Sequence, residues 1–250
     1  MLLKDPFWLV LAGFGGGLAG SVAGLASLVS YPALLAAGLP PVSANMSNTV
    51  ALVFGGVGSV SGSVVELRGQ RAHARRLGAI AVAGGICGAL LLLATPSGAF
   101  VRIVPWLVAA ASLAILIRRA PGRAPPTEAH RPTWALSVSV FLITVYGGYF
   151  GAAAGVLLLA LLLTASGEPL PRSNAMKNVL LGLANSVAAV AFVALGPVRW
   201  SAVLPLAVGF LLGGRLGPLV VRKAPAGPLR TLIACAGLAL AVHLGLDSYR

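Results

Sequence analysis

Two short polar clusters interrupt an otherwise apolar chain, and both consist of side chains that donate hydrogen bonds. The candidate binding residues in them are Asn45, Ser47 and Asn48 in the first cluster and Asn174, Lys177 and Asn178 in the second. An oxyanion needs such donors, because its own oxygens only accept hydrogen bonds. The clusters therefore predict a site for a small anion.

A glycine-rich apolar stretch precedes each polar cluster. Its candidate site residues are Gly16, Gly17, Gly20 and Ser21 in the first copy and Gly147, Gly148 and Gly151 in the second. Glycine lets the backbone leave a helix and lets an anion approach it closely. The amino ends of half-helices add unpaired N–H groups and a positive dipole end. These glycines are the predicted backbone platform of the site; close packing of helices through small residues is the alternative.

The polar residues also have simpler explanations. Serine and asparagine are good helix N-caps, and each cluster follows a proline-containing turn, at Pro41 and at Pro171. Lys177 either offsets the charge of a bound anion or extends its side chain to the cytoplasmic interface. For Lys177 the sequence favours the second interpretation slightly.

Transmembrane helices are the elements that must position these residues. Of the 250 residues, 58% are hydrophobic and 9% are charged, which is too little charge to cover a soluble protein of this size. Apolar runs of roughly 20 residues recur along the chain, so we predict an all-α, multi-pass protein of the cell (inner) membrane. The lysine and arginine residues that give the net charge of +13 lie in the loops between these runs, as in other membrane proteins, so the charge does not indicate nucleic-acid binding.

The chain is predicted to contain two homologous halves, residues 1–118 and 133–250, joined by a basic cytoplasmic linker at 119–132. The apolar segments 7–36 and 134–165 are each too long for one ordinary span and too short for two. We therefore predict that each half is a broken glycine-rich helix or hairpin followed by three transmembrane helices. The features that match between the halves include Pro41 with Pro171, Met46 with Met176, Asn48 with Asn178, and Gly84–Gly88 with Gly213–Gly217.

Loop charges predict that the two halves are inverted repeats, because matched loops carry Lys and Arg in alternating excess. If the long segments are hairpins, one face collects Arg68, Arg71, Arg75, Arg76, Arg118, Arg119, Arg123, Arg131, Arg172, Lys177, Arg222, Lys223 and Arg230. The other face then collects Lys4, Arg102, Arg199 and Arg250. The hairpin arrangement, with the linker inside and both termini outside, is preferred over full spans because full spans divide these charges less unevenly.

The order of these features resembles the TauE/SafE family, also called the sulfite exporter family. The resemblance covers nearly the whole chain and includes the Gly-Leu-Pro-Pro turn at 38–41, the Ala-Asn-Met-Ser-Asn cluster at 44–48 and the Gly-Pro-Val-Arg-Trp turn at 196–200. It implies a transporter of sulfur-containing anions, such as sulfite and organosulfonates, that works as an exporter. The second cluster, Arg-Ser-Asn-Ala-Met-Lys-Asn at 172–178, departs from the family pattern.

The positions of the acidic residues bear on how transport is driven. All of them, Asp5, Glu66, Glu128, Glu168 and Asp247, fall at predicted termini or loops, so a proton or sodium site built on carboxylates is not indicated. An inside-negative potential expels anions, by roughly 2.3 kcal/mol per charge per 100 mV. We therefore predict export by alternating access, driven by the membrane potential. An anion channel and a transporter of a different small anion are the alternatives.

Enzymatic activity is not expected. The sequence contains no HExxH motif, no histidine cluster and no pair of acids within a span. No catalytic residue, metal ligand or cofactor is predicted. The expected partners are a small anionic substrate and the lipid bilayer, without nucleic acid, and association of identical chains is left open.

Overall fold

The structure, a computed structural model, describes residues 6–117, 133–165 and 168–223, together with residues 235, 238, 242, 245 and 246. Its helices are α1 (Pro6–Ala23), α2 (Ala26–Ala36), α3 (Pro41–Gly62), α4 (Arg71–Ala94), α5 (Ser97–Ile117), α6 (Thr133–Tyr149), α7 (Ala154–Ala165), α8 (Leu170–Leu195) and α9 (Trp200–Lys223). The predicted linker at 119–132 and most of the predicted last span at 229–246 lie outside the described residues. Within the described part of the chain, the all-α prediction is confirmed, since no strand occurs there.

Four of these helices, α1, α4, α8 and α9, are long and apolar enough to cross a membrane. Many large apolar side chains on the outside of the bundle are exposed, including Trp106, Trp134 and Val190. An apolar exterior of this kind is what a bilayer requires and what water does not favour. The fold is therefore that of a multi-pass membrane protein.

Each long apolar segment forms a hairpin. Helix α2 returns along α1, since a Cβ added at Gly20 would lie 2.6 Å from the Cβ of Ala26, and one added at Gly15 would lie 3.8 Å from Val29. The chain reverses at Gly24, whose φ of +75° is a conformation that glycine adopts without strain. At 1.5 Å per residue the two arms measure about 27 Å and about 16 Å.

The second hairpin, α6 and α7, repeats this arrangement with a longer turn. Its turn contains Gly151 at φ +74° and Ala153 at φ +58°. In both halves the break therefore lies at the carboxyl-terminal end of the glycine-rich stretch. The hairpin alternative predicted for segments 7–36 and 134–165 matches this geometry; how far each arm extends across a bilayer stays a prediction.

Helices α4 and α9 each pack against the other half of the molecule. Helix α9 lies parallel to α1, with Gly13 opposite Leu206 and Gly17 opposite Gly214; a Cβ at Gly17 would lie only 2.8 Å from the Gly214 nitrogen. Such backbone contact requires small residues at the interface, as in many membrane helix pairs. Helix α9 also packs on α3.

The matching helix of the first half, α4, packs in the same way on α6 and α8. Gly84 lies opposite Phe141 and Gly88 opposite Val145, so α4 and α6 are also parallel. The glycine runs that match between the halves, 84–88 and 213–217, thus serve the same purpose in each. The core is built from two groups of three helices, each with two helices from one half and one from the other.

Helices α3 and α8, which match each other between the halves, run in opposite directions. At the start of α3, the Ser43 hydroxyl donates to the Pro197 carbonyl oxygen beyond the end of α8, at 2.6 Å. At the other end of the pair, Arg172 Nη2 near the start of α8 donates to the Arg68 carbonyl oxygen beyond the end of α3, at 3.1 Å. An inverted duplication requires this antiparallel course; its orientation across a bilayer stays a prediction.

Helix directions group the described basic residues at the two ends of the bundle. The end at which α3 finishes and α4 and α8 begin holds Arg68, Arg71, Arg75, Arg76 and Arg172. The opposite end holds the start of α1, the start of α5 with Arg102, and the start of α9 with Arg199. Lys177 belongs to neither end.

Candidate functional site

The tips of the two hairpins meet inside the bundle and enclose a cavity of about 70 Å³. Gly24 at one tip touches Gly155 at the other so closely that a Cβ at Gly155 would lie 3.0 Å from the Gly24 carbonyl oxygen. The cavity is lined by Gly17, Gly20, Ser21, Gly24, Ala26, Ser27, Leu52, Gly55, Gly56, Ser59, Gly147, Gly151, Ala154, Gly155, Asn178, Leu181, Gly182, Asn185 and Phe210. Both halves therefore contribute to one site.

Two polar side chains in this wall have no hydrogen-bond partner within the described structure. They are the Asn178 amide nitrogen and the Ser21 hydroxyl, on residues that are 6% and 2% exposed. A buried polar group without a partner costs about 1–3 kcal/mol. Both residues line the shared cavity, so a small movement of either side chain would bring an unpaired donor to a ligand.

The backbone adds further donors at the same place. Helices α2 and α7 both begin at the cavity, with Ala26 and Ala154 in its wall. The N–H groups of Ala154 and Val156 donate to carbonyl oxygens of the preceding turn, which leaves that of Gly155 in α7 and those of Ala26 and Ser27 in α2. The amino end of a helix also carries about half a positive charge. No lining residue is an acid. The local field and the donors both suit a negatively charged guest.

Six of the predicted site residues line the cavity, namely Gly17, Gly20, Ser21, Gly147, Gly151 and Asn178. Gly16 and Gly148 do not, and they serve helix packing instead. A Cβ at Gly16 would lie 3.0 Å from the ring of Phe210, and one at Gly148 would lie 2.6 Å from the Gly85 carbonyl oxygen. Most of the predicted glycines also lie inside α1 or α6, so the platform of free backbone N–H groups comes from α2 and α7 instead.

The first polar cluster is engaged in hydrogen bonds around the hairpins. Asn48 accepts from the Ser30 hydroxyl at 2.6 Å and donates to the Ser27 hydroxyl at 3.2 Å, which fixes α2 against α3. Asn45 donates from its amide nitrogen to the Tyr149 carbonyl oxygen at 2.9 Å, across the two halves. This cluster therefore positions the hairpins and does not line the cavity.

Ser47 is also occupied, because its hydroxyl oxygen accepts the backbone N–H of Arg199 at 2.9 Å. The N-capping interpretation of the polar clusters is wrong. Pro40 and Pro169 hold the N-cap positions of α3 and α8, and neither helix has a side-chain cap. The polar residues instead lie buried within the first turns, where they reach neighbouring elements.

The expected extension of Lys177 to the interface is also wrong. Lys177 is 0% exposed, and its Nζ donates to the carbonyl oxygens of Gly20 at 2.8 Å and Ser21 at 3.2 Å. Asn174 donates to the same Ser21 oxygen at 2.9 Å. Both side chains stand behind the cavity wall and hold the carboxyl end of α1 from the opposite half.

Several lining residues were missed by sequence reasoning. Asn185 lies seven positions after Asn178 in α8, two helical turns along the same face, so helical periodicity could have identified it. Ser27 carries a weaker signal, as a serine just after the break at Gly24. Phe210 comes from α9, and it reaches this wall because α9 packs against α1 and α3 of the other half.

Comparison with known proteins agrees with this architecture. The family described as "Sulfite exporter TauE/SafE" matches residues 9–244. The chain belongs to the TauE/SafE family. It is therefore a membrane transporter of this family, with multiple spans in the inner membrane.

The relatives found are themselves named as transporters. A probable membrane transporter protein, ORF9, from Sinorhizobium sp is 27% identical over 96% of this chain and 92% of its own length. The probable membrane transporter protein YfcA of Escherichia coli strain K12 is 27% identical over 100% of this chain and 94% of its own. A probable membrane transporter protein of Haemophilus influenzae is 25% identical over 96% and 94%. No solved structure matches the chain.

Proposed function

We propose that this TauE/SafE transporter exports small sulfur-containing anions, sulfite or organosulfonates, by alternating access, and that the membrane potential drives the export. The observation that carries the proposal is the pair of unpartnered buried donors, Asn178 and Ser21, in a cavity shared by the two hairpin tips. The family description, which names sulfite export, supports the substrate class.

The cavity suits a small anion in size and in chemistry. A volume of about 70 Å³ corresponds to the space of about five water molecules, at roughly 15 Å³ each. The three oxygens of a sulfite or sulfonate group could accept from Asn178, from Ser21 and from the remaining first-turn N–H groups of α2 and α7. The apolar residues Leu52, Leu181 and Phe210 complete the wall and would exclude water around the bound group.

The shared construction of the site supports alternating access. Each half supplies one hairpin tip, and the tips touch through backbone at Gly24 and Gly155. A rocking movement of one half against the other would separate the tips and open the cavity to one side at a time. The transporter names of the relatives favour this function over catalysis.

The composition of the cavity wall supports a driving force from the membrane potential. A proton relay, or a sodium ion held by carboxylates, would need an acidic residue there, and no lining residue provides one. An anion that leaves a cell with a negative interior gains roughly 2.3 kcal/mol per charge per 100 mV. The potential alone can therefore support export.

Transport by purified protein in liposomes tests this proposal. Potassium gradients with valinomycin set the potential, and sulfite efflux is followed with and without a pH gradient. We expect an efflux that saturates with sulfite, accelerates at an inside-negative potential and shows counterflow. Flux that does not saturate would indicate a channel, and a requirement for a pH gradient at zero potential would refute potential-driven export.

Variants of α8 connect the flux to the cavity. Asn178→Asp keeps the shape of the side chain but places a carboxylate in the site, and Asn178→Leu removes the donor. Both should raise the half-saturating sulfite concentration at least tenfold. The aspartate variant should bind sulfite more weakly than the leucine variant, because its carboxylate repels the anion. Ser186→Ala is the matched control, because the Ser186 hydroxyl bonds to Gly182 of its own helix and does not line the cavity. Unchanged flux in both Asn178 variants would place the substrate site elsewhere.

A further inference from the structure

The hairpin geometry creates an electrostatic conflict at the cavity. Each tip brings the carboxyl end of one helix, α1 or α6, next to the amino end of the following helix, α2 or α7. A carboxyl end carries unpaired carbonyl oxygens and about half a negative charge. An anion at the tips is therefore attracted by α2 and α7 and repelled by α1 and α6, unless donors occupy the carbonyl oxygens.

Donors do occupy these oxygens. At the end of α1, Lys177 donates to the Gly20 and Ser21 oxygens, and Asn174 donates to the Ser21 oxygen. Both donors come from α8, in the opposite half. Gly20 and Ser21 line the cavity, whereas Lys177 and Asn174 do not. The ammonium group therefore lies directly behind the carbonyl groups that would otherwise repel an anion.

The second tip is capped by neutral groups. At the end of α6, the Asn45 amide donates to the Tyr149 oxygen at 2.9 Å, and in the turn that follows the Tyr146 hydroxyl donates to the Ala152 oxygen at 2.8 Å. The position that matches Lys177 in the first half is Ser47, by the same alignment that pairs Asn48 with Asn178. The charged cap therefore belongs to one tip only.

We propose that Lys177 is a specificity-determining positioning residue, which makes the cavity select anions over cations by capping the carboxyl end of α1. This inference rests on the proposed function only in that the cavity is the substrate site; it does not depend on which anion is carried. Without Lys177, the Gly20 carbonyl oxygen would keep only its bond from the Gly24 N–H. The Ser21 oxygen would keep only its bond from Asn174. Each oxygen would therefore regain an acceptor position in the cavity wall. Carbonyl oxygens at helix ends are the groups that coordinate sodium ions in other transporters.

The alternative role for Lys177 is purely structural, as a tie between the two halves. Both roles predict that its removal lowers the thermal stability of the empty protein. Only the capping role predicts a change in which ions the protein binds. Ion preference is therefore the decisive measurement.

The experiment uses the full-length protein purified in detergent and measures the thermal midpoint against ion concentration. The anion probes are sulfite, methanesulfonate, acetate and chloride as N-methyl-glucamine salts, and the cation probes are sodium and potassium gluconate. For Lys177→Met and Lys177→Gln, we expect at least a tenfold loss of apparent anion affinity, because the positive charge is gone. Lys177→Met should also gain a new stabilisation by sodium or potassium, because its carbonyl oxygens lose a donor. Lys177→Arg, which retains the charge, should keep the anion preference. The glutamine variant retains donors near the carbonyl groups and guards against a methionine variant that does not fold.

Asn174→Leu is the matched control, since it removes a neutral donor from the same Ser21 oxygen and leaves the ammonium group. It should lower the midpoint of the empty protein but keep the anion preference. If the lysine variants also keep that preference, Lys177 is only a tie and the inference fails. If chloride or acetate stabilises the wild type but sulfur anions do not, the substrate proposal fails. The capping inference is then decided by the same Lys177 variants, tested with the anion that binds. A wild type that responds to no anion refutes the inference.

Discussion

Contact between the hairpin tips can be tested with alanine substitutions at three glycines that separate backbone strain from steric conflict. Gly24 has both problems, since its φ is +75° and a Cβ there would lie 2.6 Å from the Val156 nitrogen. Gly38 has strain alone, with φ +88° and no atom within 4 Å of an added Cβ. Gly155 has an ordinary φ and steric conflict alone, with the Gly24 oxygen 3.0 Å from its added Cβ.

These values set the expected loss of unfolding free energy. An alanine forced into the left-handed region costs about 1–2 kcal/mol, so Gly38→Ala should lose about that much. Gly155→Ala overpacks a closed contact, which costs about 1–3 kcal/mol. The higher helix propensity of alanine offsets up to about 1 kcal/mol of that loss. Gly24→Ala combines both effects and should lose about 2–5 kcal/mol.

Equilibrium unfolding in mixed detergent micelles measures all three variants on one scale. The loss for Gly24→Ala should approximate the sum of the losses for Gly38→Ala and Gly155→Ala. Since Gly24 forms the cavity wall, its variant should also lose stabilisation by the substrate anion, whereas Gly38→Ala should retain it. If Gly24→Ala costs no more than Gly38→Ala, the tips do not touch in the folded protein and the cavity between them does not exist.

Three further predictions concern positions away from the cavity. Asn48→Ala removes one hydrogen-bond partner from each of two α2 serine hydroxyl groups, of which Ser30 keeps its bond to the Ala26 oxygen, and should lose about 1–3 kcal/mol of unfolding free energy in the same assay; a loss below about 0.5 kcal/mol would contradict that network. Glu168→Gln breaks the half-exposed ion pair with Arg172 at 3.0 Å and should change stability by less than about 0.5 kcal/mol with unaltered transport; a large effect would mean that this pair is part of a gate. A reporter that is active only in the cytoplasm should work when inserted at 119–132 and fail when placed before Pro6, and the reverse pattern would invert the predicted topology.

The membrane class and the two hairpins could be predicted because they depend on patterns that can be read along the sequence itself. Hydropathy follows from composition along the chain, and the two long segments carry glycine and proline at matching places. The hairpin preference came from loop charges. Lys and Arg are more frequent in loops that stay on the cytoplasmic side, and this bias can be read without knowledge of packing. The resemblance to the TauE/SafE family used the order of these same features.

Which polar residues reach the cavity could not be predicted, because that depends on neighbours that are distant in sequence. Asn48 and Asn178 match in the alignment, yet Asn48 is bonded to two serines of α2 and Asn178 is left without a partner. Serines at the positions of Ser27 and Ser30 exist in one half only, and their replacement in the second half leaves the amide of Asn178 free for the cavity.

The primary structure thus sets where helices, breaks and charges occur, since these follow from local hydropathy, glycine and proline. It does not set the partner of Lys177, which pattern alone placed at the membrane surface. Its position under the carboxyl end of α1 arises because the two halves run in opposite directions, so the start of α8 reaches the first hairpin. A donor 157 residues away from its acceptor is chosen by the packing of the whole bundle and by the cost of leaving either group buried without a partner.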